Sequence, residues 1–136
     1  MSPDAAQDVI EQRIESQWGA TTPIAWPNVP FTPPATASWL KVDFIWGAGS
    51  VMTKGAGGLN AVTGVLQLAI FSPKDTGDGA SDTLAETARA MVNRFRFASP
   101  NADVMFGAVS GPVKQFEESW RSVIVSAPFR VHEAVP

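Results

Sequence analysis

The chain contains no cysteine, which excludes disulfide staples and thiol catalysis and leaves the redox compartment open. It has a single histidine, His132, which excludes a zinc cluster built on several histidines within one chain, and no partner set for a catalytic triad is visible beside it. His132 stands beside Glu133 near the C-terminus and reads as a surface residue. Lysine and arginine are scattered, no basic run exists, and the formal net charge is -3. Binding that works by neutralising phosphates needs a basic face, so nucleic acid is not an expected partner. Long apolar runs are missing too. The longest, Val65 to Phe71, is interrupted by Gln67 and is far too short to span a bilayer, so no membrane association is expected. Met1-Ser2-Pro3-Asp4 shows no basic stretch followed by an apolar core, and the chain is expected to be made and kept in a cytoplasm. Charge itself is sparse, at 17% of residues against 45% hydrophobic. That leaves little polar surface to cover a fold, which favours a subunit that hides part of itself in an assembly. A length of 136 residues predicts one domain over 1–136.

What the chain does have is concentrated in two extended segments. Ile24-Ala25-Trp26-Pro27-Asn28-Val29-Pro30-Phe31-Thr32-Pro33-Pro34 runs into Trp39-Leu40-Lys41-Val42-Asp43-Phe44-Ile45-Trp46. Proline lacks the N–H that a ladder needs, so the first segment is an edge strand or an irregular extended arm. An edge kept apolar by Trp26 and Phe31 exposes backbone groups and rings together and calls for a covering partner.

The remaining pattern predicts an α+β fold. Ser2 as cap and Pro3 at the first turn open a helix with Ala6, Ile10, Ile14 and Trp18 on one stripe, ended by Gly19. From Trp39 the period becomes two, with Leu40, Val42, Phe44 and Trp46 on the buried side. Gly47 to Gly58 reads as a mobile loop with five glycines, after which Val65 to Phe71 returns antiparallel with Leu66, Leu68 and Ile70 inward. Turn chemistry fills Pro73 to Ala80, and Thr83-Leu84-Ala85-Glu86 is a capping box opening a second helix. The buried face of that helix is Leu84, Ala88, Met91, Val92 and Phe95; Arg89, Asn93, Arg94 and Arg96 look outward. Two more strands follow near Val104–Ser110 and Trp120–Val131, with Trp120, Val123 and Ile124 as apolar bulk. The economical arrangement is two helices packed on one face of a mostly antiparallel four- to five-stranded sheet with a long Gly-rich hairpin loop.

No motif carries catalysis. Thr53-Lys54-Gly55 has the wrong order for a phosphate loop, and Gly47 and Gly49 lack the third glycine of a dinucleotide fingerprint. Asp75, Asp78 and Asp82 before a helix suggest a weak divalent site, but the calcium pattern begun at Asp75 puts Gly77 and Gly79 where carboxylates are needed. Solvated cap residues are the plainer reading. No nucleophile elbow is present. Trp26, Trp39 and Trp46 have only Lys41 nearby, so they do not form a basic stacking platform for single strands.

The order of a short N-terminal helix, a Trp-Pro-Asn-Val-Pro-Phe segment, a strand and Gly-rich hairpin, Gly64-Val65-Leu66-Gln67-Leu68-Ala69-Ile70-Phe71-Ser72-Pro73, an Asp/Gly loop, a helix and a last strand around Trp120 resembles the tail-terminator proteins of long-tailed bacteriophages. Those proteins cap the tail tube as a hexameric ring. The resemblance implies a structural protein without enzymatic activity or cofactor. Its implied partners are further copies of itself, the tail tube protein and a head-completion or neck protein. It would occupy the host cytoplasm during assembly and then the virion tail. A ring needs two different patches per subunit. Trp26, Val29 and Phe31 are candidates for one; Arg89, Arg94 and Arg130 are candidates for the other, meeting acids such as Asp43 or Glu133 of the next copy. Val51, Met52 and Lys54 in the glycine loop are candidate tube contacts. The alternatives are another head–tail joining or minor tail component of the same fold, or a small bacterial ligand-binding domain, which would be monomeric with a deep apolar pocket.

Overall fold

The computed structural model describes residues 3–19, 21–34, 37–51, 59–73, 79–98, 103–116 and 120–134. Helix α1 spans Pro3–Trp18, and its four-residue stripe is the buried one: Ala6, Ile10, Ile14 and Trp18 are all within 1% of full burial. Gly19 at φ 56° closes it, its N–H donating to the Glu15 carbonyl at 2.9 Å, in the left-handed geometry that favours glycine there. A short strand β1 (Ile24–Ala25) follows, then the long strands β2 (Trp39–Val51) and β3 (Leu59–Pro73). After helix α2 (Gly79–Val92) come β4 (Arg96–Ala98), β5 (Asp103–Phe106), β6 (Ser110–Phe116) and β7 (Trp120–Ala134).

Among the described residues the strands form one seven-stranded sheet in the order β1-β2-β3-β7-β5-β4, with β6 also on β7. Every pairing is antiparallel except that of β1 with β2. β5 and β6 lie end to end along the same side of β7, from Val104 opposite Val131 to Phe116 opposite Arg121. Seven strands are seen among the described residues, where the sequence suggests four to five. β1 and β4 are too short to show a period, and the expected Val104–Ser110 strand is split. Its second half runs on to Phe116 through Gly111, at φ 98°, where a Cβ would lie 2.6 Å from the Ile124 carbonyl oxygen.

Both helices cover the same sheet face and share one core with it. Leu40, Val42, Leu66, Leu68 and Ile70 are fully buried there, as the period-two reading predicts. Of the three residues expected to supply apolar bulk on β7, only Val123 lies in the core. Val123, Val125, Ala127, Phe129 and Val131 point into the core, whereas Trp120 and Ile124 are half-buried on the opposite face. Apolar residues occur in both phases of this strand, so periodicity alone could not choose. His132 likewise lies half-buried in β7, opposite Ala61, and is not a fully exposed residue.

Two boundaries also move. α2 begins at Gly79, not at the Thr83 box, because Gly79-Ala80-Ser81 continues the helix backwards; Ser81 is buried and Thr83–Glu86 falls in the second turn. Phe95 follows the helix, lying under the Arg13 guanidinium at 4.2 Å from the ring centroid. β2 runs through Gly47 to Val51 after a register shift between Trp46 and Gly49, so that stretch is strand and not loop. Residues 52–58 of the expected loop lie outside the described residues.

Candidate assembly surface

Strands with apolar residues in both phases are built to be covered on both faces. β2 carries Trp39 and Ile45 opposite to its core phase, and β3 carries Val65, Ala69 and Phe71 in the same way. The helices cover only one face. The other face is left with Ile45 and Val113 at 52% and 54% exposure. At one end of it Trp39 stacks on Phe71 (centroids 4.3 Å apart, 9° between planes) and meets Trp120 edge-on at 6.2 Å. The buried Trp39 indole N–H finds no hydrogen-bond partner among the described residues. At the other end lies an open, mostly apolar depression of about 610 Å³, whose lining includes Ile45, Val65, Met105, Pro128 and Arg130. This face was not anticipated as a surface; Trp39, Ile45 and Phe71, apolar in the outward phase, were its signal.

The arm after β1 behaves as its prolines dictate. Pairing stops at Ala25, and Trp26–Val29 forms a turn, with the Val29 N–H donating to the Trp26 carbonyl at 3.3 Å and Asn28 at φ 57°. The three interface candidates on the arm differ in setting. Val29 is 56% exposed, Trp26 is half-buried against the core, and Phe31 leans on Trp39 with centroids 5.1 Å apart. Phe31 is therefore part of the aromatic stack on the open face. Hollows lie on both sides of the arm, one towards β2 with Trp39, Lys41 and Asp43, the other towards α1 with Asp8, Glu11 and Glu15.

The basic candidates are not one patch. Arg89 is half-buried, and its Nη1 donates to the Gly111 carbonyl at 3.3 Å, tying α2 to β6. Arg94 is exposed just beyond α2. Arg130 is exposed on the open face, in register with Met105, itself opposite Arg96. Of the residues assigned to the tube, Val51 ends β2, while Met52 and Lys54 lie outside the described residues. Asp43 pairs with Lys41 at 3.7 Å. Asp82 pairs with Lys114 at 3.1 Å; Asp75 and Asp78 lie outside the described residues. Among the described residues no cluster of three metal-capable side chains occurs.

The family model described as phage tail terminator protein matches residues 5–104. The chain belongs to the phage tail terminator family. The match runs from α1 into β5, so it holds the arm and the Arg89–Arg96 corner, while β6, β7 and Arg130 fall outside it. A solved protein structure shares the fold with a TM-score of 0.69 and 23% identity, covering 92% of this chain and 94% of its own. No curated protein matches the chain. Members of the tail terminator family are structural components of the phage tail, which gives this chain tail components as partners and the virion tail as its place. Among its described residues no helix is long and apolar enough to cross a membrane.

Proposed function

We propose that this protein, acting as one domain over residues 1–136, assembles into a closed ring, a hexamer, that caps the tail tube. The ring stops tube growth and then offers a surface to the head through a head-completion or neck protein, after assembly in the host cytoplasm. The observation that carries the reading is an apolar sheet face with a single helix layer behind it, in a chain of the tail terminator family. A stopper performs no chemistry. It must bind the growing end more tightly than the next tube subunit does. In this reading Trp26, Val29 and Phe31 form one subunit contact and the Arg94 and Arg130 region the other, with Arg89 holding α2 in place behind it. Val51, Met52 and Lys54 meet the tube.

Sedimentation of the purified protein over a wide concentration range tests the ring. The expected result is a reversible shift from the 14.5 kDa monomer to one discrete larger species. A monomer at every concentration, together with a tube that ignores it, would overturn the proposal.

A further inference from the structure

Two surfaces at opposite ends of the strand order carry opposite charge. One is the hollow of about 370 Å³ between α1 and the arm, lined by Asp8, Glu11, Glu15, Trp26 and Val29 among others. The spacing of the three acids places them along one flank of α1. The opposite flank is taken up by Arg13, whose Nε donates to the Met91 carbonyl of α2 at 3.2 Å. The acids thus line the β1–β2 end of the molecule, beside Val29 at 56% exposure. The ion pairs Lys41–Asp43 and Lys114–Asp82 lie elsewhere.

The second surface is the corner that leads from α2 into β4, the outermost strand at the far end of the path. Arg94 is exposed there at φ 57°, with its N–H held by the Gly107 carbonyl at 3.2 Å. A left-handed residue just past a helix end is ordinarily glycine or asparagine, because a Cβ is strained in that geometry. Strain of this kind collects where a side chain has a task. Arg96, also exposed, adds charge of the same sign on β4 itself.

We propose that the acidic hollow between α1 and the arm receives the Arg94 corner of the next copy, forming the subunit contact of the ring. The proposal rests on the ring reading above and names its contact. A closed ring is made by two different patches meeting head to tail, and patches at opposite ends of one sheet supply that geometry. The occupant is a second copy because the complementary charge is carried by the same chain. Val29 and the half-buried Trp26 give the hollow an apolar floor, and the acids set register and partner choice.

Charge exchange tests it. Glu15→Arg and Arg94→Glu each change an exposed side chain, and together they leave the net charge unaltered. Each single variant is expected to weaken subunit association at least about tenfold by sedimentation, with circular dichroism unchanged. The double variant is expected to recover most of the loss. Arg94→Gly should melt at higher temperature as a monomer yet associate more weakly, a combination that a purely structural arginine would not produce. Singles that assemble like the parent protein would overturn the contact, as would a double variant no better than the singles. A parent protein that never assembles would instead remove the ring reading on which the contact depends.

Discussion

Arg94 and Gly64 show how single residues record what the fold asks of them. At φ 57° an arginine strains the backbone, and Arg94→Gly is expected to stabilise the unassembled subunit by about 0.5 to 1 kcal/mol in thermal denaturation. A lower melting temperature would mean that the side chain contributes more within the subunit than its exposure implies. Gly64 is the converse. A Cβ there would lie 2.6 Å from the edge of the buried Phe129 ring and 3.0 Å from the Ile45 carbonyl oxygen, so something must shift. Gly64→Ala is therefore expected to cost about 1 to 3 kcal/mol in denaturant unfolding; a neutral substitution would show that Phe129 has room to move. Phe31 makes a related point about limits of reading. Its ring was legible as sticky, but its target, Trp39, lies eight residues on and only the chain reversal brings them together.

Of the two helices, α1 was the more legible from sequence; α2 was legible in its buried face, with Ala88, Met91 and Val92 inward, but not in its start. Four apolar residues at one spacing, a proline start and a glycine end all agree for α1, and Ile14 on that stripe is fully buried. Ile14→Ala should lose about 2 to 5 kcal/mol by denaturant titration; a loss well below 1 kcal/mol would contradict the shared core. For α2 the turn-like letters Gly79-Ala80-Ser81 hid the true start, and a capping pattern in the second turn offered a false one. The strands divide in the same way. β2 and β3 were legible where polar residues such as Lys41, Asp43 and Gln67 mark one phase. β7 was not, because Trp120 and Ile124 compete with Val123 and Val125 for the core, and only pairing with β3 decides. The two-residue β1 and three-residue β4 carry no period at all. The candidate site was legible as an apolar arm and scattered arginines; the open sheet face and the acidic flank of α1 needed the fold.

For the molecule as a whole, one sheet face is closed by helices and the other ends in Ile45, Val113 and the Trp39–Phe71–Trp120 stack. A polar group placed on that face should leave the monomer intact and act on assembly alone. Ile45→Asp and Val113→Asp are each expected to keep the parent circular dichroism spectrum while reducing binding to the tube or to neighbouring copies by about tenfold or more. Unchanged binding in both would show that this face stays in solvent. The most direct test of the central claim is the length of tail tubes grown from purified tube protein, measured by electron microscopy, with this protein added part-way through growth. Capping predicts that tubes stop at the length reached on addition. Tubes that continue to lengthen as they do without it would contradict the account.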